Sequence, residues 1–351
     1  MKQLATATLL GLIITIFSCQ TNDPTPATND FSSVDAFIEE NASAYANQVV
    51  VLVSQNGKLI YKKEHNLTTK DAKAIASASK WLSGGVIMSL VDEGKLSLND
   101  TVGKYLPLFT KYKKGNITIR QLFSHTSGFP GDSPEGYEYN TSFTLAQAVD
   151  TLATHTATIH APGTTFNYGS IGMHIAGRIA EIVSGKSWQT LFNDKIGNPC
   201  NLTVTYLSLR NPIIAGGGFT TAEDYLHFLE MIANKGMYQS KRVLSENAIA
   251  EMLKDQTNNA TIEGTPYPAN PYSIYKNTGI RYGMGNWLDV VDSNGTVWET
   301  SSPGLFGTHP WQDSKNKIAG IIFTKTDPKI SNMVSLQIRE KIRNIVEGKT
   351  N

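Results

Sequence analysis

The stretch SASKWLSGGVIMSL, residues 77–90, decides both the fold and the chemistry that this sequence predicts. It joins an S-x-x-K motif, from Ser77 to Lys80, to an apolar run from Trp81 to Leu90. Because residues three apart share one face of a helix, the Lys80 amine would lie beside the Ser77 hydroxyl. The positive end of the helix dipole would also favour an anion that develops on Ser77. The stretch predicts a buried helix with a serine nucleophile and a lysine whose desolvation lets it accept the serine proton.

The S-x-x-K motif is short, and on its own it leaves two interpretations open. A second match, Ser314 to Lys317, lies in a charged turn between two expected strands, where no helix would present it. In the other interpretation of the first match, Ser77 only caps a helix and Lys80 is solvated. The apolar run after Lys80 distinguishes the first match from the second, but further motifs are needed to assign the chemistry.

Strand and helix patterns at both ends of the chain predict one α/β domain. The β-branched run Val49–Ser54 is followed by Asn56-Gly57 and a further apolar segment, which is the strongest short-range hairpin signal. A first helix is expected to begin at Ser32, where Ser32 and Asp35 have capping-box spacing. Four strands and a last helix are expected near the C-terminus: Tyr282–Val290, Thr296–Thr300, Leu305–Trp311, Ile318–Thr324 and Ile330–Glu347.

The segment between these two ends is mainly helical in pattern. Helices are expected after the capping-box sequence Thr118–Gln121, over Ile171–Val183 and over Ala222–Asn234. The sequence therefore predicts an α/β domain made of residues 34–90 and 277–348. Residues 91–276 would form a mainly helical domain inserted into it, with the active site in the cleft between the two.

The first residues are expected to be a targeting signal and not part of the fold. The apolar run Leu9–Phe17 is too short to span a bilayer as a stable helix. It ends in IFSC, which resembles a bacterial lipobox and implies cleavage before Cys19 and lipidation of that residue. The prediction is a signal peptide over residues 1–18 and a lipidated, flexible tether over residues 19–33. The exported protein would be anchored to a bacterial membrane and face the periplasm or the cell surface; the alternative is an ordinary secretory signal cut a few residues later.

Composition and missing motifs argue against several classes of function. The 351 residues carry a formal net charge of +1, with 40% hydrophobic and 17% charged residues, which fits a globular protein and provides no basic field for nucleic acid. No H-E-x-x-H, paired Cys/His spacing or phosphate-binding G-x-x-x-x-G-K-[ST] occurs, so neither a metal nor another cofactor is expected. The absence of G-x-S-x-G argues against a nucleophile elbow. Besides Cys19 the only cysteine is Cys200, which is expected to be a buried, inert thiol.

Four further segments have the order and spacing of a known family: LFSHTSGFP (122–130), APGTTFNYGS (161–170), AGGGFTTAED (215–224) and SPGLFG (302–307). With the Ser77 motif, they make the chain resemble the β-lactamase-related serine hydrolases. The resemblance is to the branch close to class C β-lactamases, D-Ala-D-Ala peptidases and their esterase relatives, and it covers about residues 34–348. It implies an α/β (α+β) fold of the β-lactamase/transpeptidase type, in which an antiparallel sheet is flanked by helices from both chain ends and a mainly helical domain is inserted.

The resemblance also implies roles for particular residues. Ser77 matches the family nucleophile, Lys80 its partner, and Tyr168 the tyrosine of the Y-x-N motif, a general base when ionised or hydrogen-bonded to the lysine. The segment Ser302–Gly304 matches the strand motif written K-T-G or H-x-G. The family places one oxyanion donor on the backbone N–H of the nucleophile and the other on the residue after that glycine, here Leu305.

Two positions depart from the family pattern, and both belong to the predicted substrate-binding set of Ser170, Ser302 and Gly304. Ser170 stands where asparagine is usual, and Ser302 stands where lysine or histidine is usual. A serine can donate a hydrogen bond but has no charge to hold a substrate carboxylate. The departures therefore favour ester or uncharged-amide substrates, unless another basic residue such as Arg281 holds a carboxylate. His125, within LFSHTSGFP, is expected to be a hydrogen-bonded structural residue.

Three functions remain open at this point. The leading prediction is an extracytoplasmic serine hydrolase that acts on esters or amides through an acyl-enzyme on Ser77, while Lys80 and Tyr168 move the proton. The second is a β-lactamase or D-Ala-D-Ala carboxypeptidase. The third, from another class, is a non-catalytic peptidoglycan- or peptide-binding lipoprotein, which only the departures from the family pattern support. The expected partners are a small-molecule or peptide substrate and, through lipid on Cys19, a membrane.

Overall fold

The computed structural model describes residues 29–266 and 279–349. The expected signal peptide, Cys19, most of the tether and the expected domain boundary at residues 276–277 lie outside the described residues. Within the described ranges, no helix combines the length and the apolar character needed to cross a membrane. The signal, the lipid anchor and the division into two domains stay predictions.

The described chain contains both helices and strands, and one 3₁₀ turn, Ala76–Ala78, leads directly into the second helix. The helices are α1 Ser32–Glu40, α2 Ser79–Asp92, α3 Val102–Tyr105, α4 Pro107–Lys111, α5 Ile119–Phe123, α6 Leu145–His155, α7 Ile171–Ser184, α8 Trp188–Phe192, α9 Ala222–Ala233, α10 Glu246–Met252 and α11 Pro328–Val346. The strands are β1 Val49–Gln55, β2 Lys58–His65, β3 Lys73–Ala74, β4 Thr165–Asn167, β5 Thr205–Tyr206, β6 Gly218–Thr220, β7 Met237–Tyr238, β8 Lys241–Arg242, β9 Thr261–Gly264, β10 Trp287–Val291, β11 Val297–Ser301, β12 His309–Asp313 and β13 Ile318–Thr324.

A six-stranded antiparallel sheet, in the order β10-β11-β12-β13-β1-β2, forms the centre of the fold. Strand β1 pairs with β13, so segments from near both ends of the chain lie side by side. These two strands are buried almost throughout and are apolar runs, whereas β2, at one edge, carries exposed and charged side chains. The predicted hairpin between β1 and β2 is confirmed: Asn56 and Gly57 have φ values of 52° and 72°.

Successive side chains of β1 enter two different cores, because side chains alternate between the faces of a strand. Val49, Val51 and Val53 pack in a core that includes residues of α1 and α11. Val50 and Leu52 belong to the larger core that includes α2 and α9. Helices from both chain ends therefore cover one face of the sheet, as predicted. Helix α9, which lies in the segment predicted to be inserted, packs against β1, β12 and β13.

The start of α1 differs from the prediction. Ser32 is the first helical residue and Phe31 is the cap, with no side-chain cap bond, so the capping box predicted for Ser32 and Asp35 is wrong. Instead, the Asp30 carboxylate accepts a hydrogen bond from the Ser32 N–H at 2.9 Å. Because Ser32 and Ser33 are helical, the predicted flexible tether would end before residue 32 and not at residue 33.

Two other helix ends follow the expected local signals, and a third begins earlier than predicted. Thr118 and Gln121 form the predicted reciprocal capping box at the start of α5. Gly185 ends α7 in the left-handed conformation, where glycine has no steric penalty. Helix α11 begins earlier than predicted, at Pro328, because the Asp327 side chain caps it.

Strand β10 is shorter than predicted because a tight loop precedes it. The sequence pattern predicted that this strand begins at Tyr282, but the strand begins at Trp287. Tyr282 and Trp287 are connected only by an isolated β-bridge. In the loop, Gly285 has a φ of 94° and lies so close to α2 that a Cβ would be 2.2 Å from the Lys80 carbonyl oxygen. The loop is therefore fixed against the helix that follows Ser77.

Strand β12 also starts later than predicted. The pattern placed its first residue at Leu305, but the strand begins at His309. The residues before it form a turn in which the Gly307 N–H donates to the Gly304 carbonyl at 3.0 Å. This turn exposes Leu305, while β13, at Ile318–Thr324, forms as predicted.

Candidate functional site

Ser77 lies in the 3₁₀ turn immediately before α2 and not within the helix itself. Ala76, just before it, has a φ of 46°, a left-handed conformation that costs a non-glycine residue about 1–3 kcal/mol. Two hydrogen bonds of 2.7 Å hold the turn: the Ser79 hydroxyl donates to the Ala76 carbonyl, and the Tyr225 hydroxyl donates to the Ala78 carbonyl. The serine singled out from the sequence therefore lies on a fixed, strained turn at the start of a buried helix.

Lys80 directs its amine at Ser77. The Nζ atom lies 3.0 Å from Ser77 Oγ and 3.0 Å from the carbonyl oxygen of Ala215. Only 2% of Lys80 is exposed. Burial lowers the pKa of Lys80 to about 7, while the negative charge of Asp132 acts in the opposite direction. Near neutral pH, a large share of Lys80 is therefore uncharged and able to accept the Ser77 proton.

Tyr168 follows β4, and its ring packs against the Lys80 side chain. The Lys80 Nζ is 4.6 Å from the centroid of the Tyr168 ring, and Trp287 stacks on that ring with 5.1 Å between centroids. Burial raises the pKa of Tyr168, although hydrogen bonds with the Ser77 and Tyr282 side chains act in the opposite direction. The Tyr168 phenol is therefore protonated at neutral pH, and Lys80 is the group whose pKa suits a base.

His125 lies beside Tyr168 as a buried ring. Its centroid is 4.6 Å from that of Tyr168 and 4.8 Å from that of Tyr282, and its Nδ1 accepts a hydrogen bond from the Gly169 N–H at 3.4 Å. Burial, and then the charge of Lys80, hold the pKa of His125 well below its usual value. These contacts hold a neutral His125 ring against the Tyr168 segment, which agrees with a structural role for this residue.

The end of β11 brings the SPG segment against the Ser77 turn. The Ser302 hydroxyl is buried and donates to the carbonyl oxygens of Gly285, at 3.2 Å, and Ser77, at 3.4 Å. Gly304 lies so close to the turn that a Cβ would be 2.1 Å from the Ile75 carbonyl oxygen. Only glycine permits this approach, which holds the SPG segment against the turn that carries Ser77.

The two backbone N–H groups that the resemblance implies as oxyanion donors belong to Ser77 and Leu305. Among residues 29–266 and 279–349, neither N–H donates a hydrogen bond to a protein acceptor. Leu305 is also 68% exposed. Both donors therefore remain open to an oxygen of a bound ligand, which is the requirement for stabilising an oxyanion.

Ser170 has its polar groups engaged within the fold. Its Oγ lies 2.7 Å from the hydroxyl of Tyr139. Its N–H is shared between the Gly131 carbonyl, at 2.9 Å, and Asp132 Oδ1, at 2.8 Å. Like the hydroxyl of Ser302, the Ser170 hydroxyl already has a protein partner, so both predicted substrate-binding serines also hold the walls of the site.

The structure also describes two other residues that were singled out from the sequence. Arg281, the alternative carboxylate-binding group, has its Nε 3.8 Å from the carboxylate of Asp255. Cys200 is fully buried, and burial raises the pKa of its thiol to about 12. A buried thiol with a raised pKa is not a nucleophile at neutral pH.

Sequence reasoning missed several groups that complete the site. Ala215 supplies the carbonyl that holds Lys80, and its segment AGGGFTTAED was recognised without a role for this residue. Tyr282 and Trp287 pack on Tyr168, but both were assigned only to a strand. Asp132 acts electrostatically on Lys80 and Tyr168, and no motif signalled it.

Comparison with known proteins shows the family and the fold. The Beta-lactamase family model matches residues 34–341. The crystal structure of a protein from Bacteroides dorei DSM 17855, whose beta-lactamase assignment is provisional, is 31% identical and superposes with a TM-score of 0.80 over 91% of this chain and 100% of that one. A family VIII carboxylesterase superposes with a TM-score of 0.72 at 18% identity, over 90% and 97% of the two chains.

A curated relative, protein flp of Staphylococcus aureus (strain COL), is 28% identical over 198 residues, or 52% of this chain. The match spans only 40% of the length of that protein. The family model, in contrast, covers most of this chain, and it includes the Ser77 turn, Tyr168 and the SPG segment. This chain therefore belongs to the Beta-lactamase family, a family of hydrolases with the β-lactamase/transpeptidase-like fold.

Proposed function

We propose that this protein is an extracytoplasmic serine hydrolase that cleaves ester or uncharged amide bonds through an acyl-enzyme on Ser77. One observation carries the proposal: the Lys80 amine lies 3.0 Å from the Ser77 hydroxyl, in a buried place where its pKa falls to about 7. A neutral amine at hydrogen-bond distance provides the general base that a serine hydroxyl needs to become a nucleophile.

In the acylation half-reaction, Ser77 Oγ attacks the carbonyl carbon of the substrate while Lys80 Nζ accepts the hydroxyl proton. The N–H groups of Ser77 and Leu305 stabilise the negative oxygen of the tetrahedral intermediate. When the intermediate collapses, the bond to the leaving group breaks, and the leaving group takes the proton from Lys80. Tyr168, with its phenol protonated, relays this proton by accepting one from Lys80 and giving its own to the leaving group.

Deacylation repeats the same steps with water as the nucleophile. Lys80, again neutral, takes a proton from the water that attacks the acyl carbon, and the same two N–H groups hold the oxyanion. The bond between the acyl carbon and Ser77 Oγ breaks, and Ser77 recovers its proton. The products are a carboxylic acid and a free enzyme ready for another cycle.

The surroundings of Ser302 support esters and uncharged amides as the substrate class. A substrate carboxylate is bound best by a charged donor, and Ser302 provides none. Its hydroxyl is also occupied by the carbonyl oxygens of Gly285 and Ser77. The carboxylesterase that shares this fold fits the same proposal.

The second candidate is a β-lactamase or a D-Ala-D-Ala carboxypeptidase. The observation that favours it is the 31% identity to the Bacteroides dorei protein, which covers that chain completely. A non-catalytic peptidoglycan- or peptide-binding lipoprotein is less well supported, because Ser77 and Lys80 keep the distance and the burial that catalysis needs.

A fluorophosphonate probe followed by intact-protein mass spectrometry tests the nucleophile. One equivalent should add to the wild type and none to Ser77→Ala. Ser314→Ala is the matched control, because Ser314 opens the second S-x-x-K match of the chain and should not affect labelling. Undiminished labelling of Ser77→Ala would show that the nucleophile lies elsewhere. A panel of p-nitrophenyl esters, nitrocefin and D-Ala-D-Ala peptides then ranks the substrate classes.

Export and a lipid anchor on Cys19 are part of the proposal and rest on the lipobox-like sequence alone. The wild type should fractionate with membranes, and Cys19→Ala should move to the soluble fraction. Cys200→Ala is the control, since this buried thiol should not affect fractionation. A wild-type protein that is entirely soluble and begins after residue 19 would contradict the anchor.

A further inference from the structure

An exposed carboxylate lies at the edge of the candidate active site, on the loop that contacts the Tyr168 segment. Asp132 is exposed, and its Oδ1 accepts a hydrogen bond from the Ser170 N–H at 2.8 Å. The residue before it, Gly131, is in close contact with Gly169: a Cβ on Gly169 would lie 2.0 Å from the Gly131 carbonyl carbon. The backbone of this loop is therefore held directly against the segment that carries Tyr168.

The Asp132 carboxylate is not required to satisfy the backbone that it contacts. The Ser170 N–H also donates to the Gly131 carbonyl at 2.9 Å, and the Ser170 hydroxyl has the Tyr139 hydroxyl as its partner. Asp132 thus adds a negative charge at a place where the N–H and the hydroxyl of Ser170 already have other hydrogen-bond partners. That charge reaches the reaction centre, because it raises the pKa of Lys80 and of Tyr168.

Two cationic side chains described near the site already have other partners. Lys80 is buried against Ser77, and Arg281 lies close to the carboxylate of Asp255. Where the family pattern has a lysine or histidine, the chain has Ser302, which carries no charge. A bound substrate would meet the exposed negative charge of Asp132 at this edge of the site, and a positively charged group on the substrate would be attracted to it.

We propose that Asp132 determines specificity: it favours substrates that carry a cationic group, an amine or a quaternary ammonium, and disfavours those that carry a carboxylate. The proposal rests on the hydrolase function proposed above and narrows its substrate class. Because Asp132 is exposed and screened by solvent, its effect is that of a surface charge pair. We expect a preference of about three- to fivefold in kcat/KM, which shrinks at high salt.

Two sets of aryl esters test the proposal, one with the charge in the acyl chain and one with the charge in the leaving group. Each set contains a trimethylammonium ester, its neutral tert-butyl isostere and a carboxylate ester of similar size. In the wild type, kcat/KM should be highest for the cationic ester and lowest for the anionic ester in at least one set. In Asp132→Asn, the ratios of both charged esters to the tert-butyl ester should move to about one.

Two variants control for effects other than charge. Asp132→Glu keeps the charge and should keep the preference. Glu135→Gln removes an exposed carboxylate from the same loop that does not act on Lys80 or Tyr168, and it should leave the ratios unchanged. Because each ratio is measured within one variant against the neutral isostere, a change in folding or in the pKa of Lys80 cancels.

The outcomes separate the two proposals. If Ser77→Ala hydrolyses the tert-butyl ester as fast as the wild type, the proposed hydrolase function is wrong. If hydrolysis depends on Ser77 but Asp132→Asn leaves both ratios unchanged, only the role of Asp132 is overturned. A wild type that prefers the carboxylate esters in both sets would also overturn it.

Discussion

Lys80 should set the pH dependence of the reaction, and its burial fixes the size of the effect. An exposed lysine, with a pKa of about 10.5, is only about 0.1% neutral at pH 7.5. With a pKa of about 7, Lys80 is about 75% neutral at the same pH. Burial therefore increases the fraction of usable base by a factor of about 750, or nearly three orders of magnitude.

The expected profile follows from the requirement that Lys80 is unprotonated in the free enzyme. For a neutral p-nitrophenyl ester, kcat/KM should rise about tenfold per pH unit below about pH 6 and level off above about pH 8. The assay measures initial rates from about pH 5 to about pH 10, followed at the isosbestic wavelength of nitrophenol so that product ionisation does not distort the profile. The Lys80→Ala variant should lose most of the activity, and its pH profile should no longer show the rise assigned to Lys80.

Lys114→Met is a matched control for this experiment. Lys114 is also largely buried, burial also lowers its pKa, and it donates to the Ala153 and Thr156 carbonyls away from the site. The variant should show the same rise of kcat/KM with pH as the wild type, even if the variant is less stable. A wild-type profile that is flat, or that rises only above about pH 9, would refute the assignment of Lys80 as the base.

Three further predictions follow from the same structure. The variants Tyr168→Phe and Lys80→Ala should each lose most of the activity in single-turnover assays. The double variant should lose little more, because the effects of removing members of one proton-transfer unit are not additive. If the two losses multiply in the double variant, the two residues act independently. Ser302→Lys should lower the ester-to-nitrocefin ratio of kcat/KM by about ten- to hundredfold, since a charge-assisted hydrogen bond is worth about 1.5–3 kcal/mol; efficient nitrocefin hydrolysis by the wild type would instead favour the β-lactamase candidate. Gly84→Ala should lower the free energy of unfolding by about 1–3 kcal/mol, measured by thermal unfolding, because a Cβ would lie 2.0 Å from the Met284 carbonyl oxygen. The control Gly279→Ala, which has open space around the new Cβ, should have almost no effect on stability.

Features that depend on neighbours in sequence could be predicted from the chain. The S-x-x-K spacing brings the Lys80 amine to Ser77 because three residues make about one helical turn. The turn at Asn56-Gly57 formed as expected because both residues tolerate positive φ. The segment order that resembles the family identified Tyr168 as well, although its surroundings were not foreseen.

Features that depend on distant contacts could not be predicted. Ser302 was expected to face a substrate, but its hydroxyl is bound to the carbonyl oxygens of two segments far away in sequence. Strand β12 was predicted to begin at Leu305 because the residues from Leu305 onward suit a strand. A turn that ends at Gly307 replaces the first part of the predicted strand. Asp132 lies at the site only because Gly131 packs on the Tyr168 segment, which no local pattern indicates.

The central claim is that turnover passes through an ester bond to Ser77, and trapping that intermediate tests it most directly. An ester substrate would be mixed with the wild type, quenched in acid during the first turnovers, digested and analysed by mass spectrometry. The account predicts an adduct of the acyl mass on the peptide that contains Ser77, which forms and decays at rates that match turnover. Steady turnover with no adduct on that peptide, at a rate that Ser77→Ala retains, would contradict it.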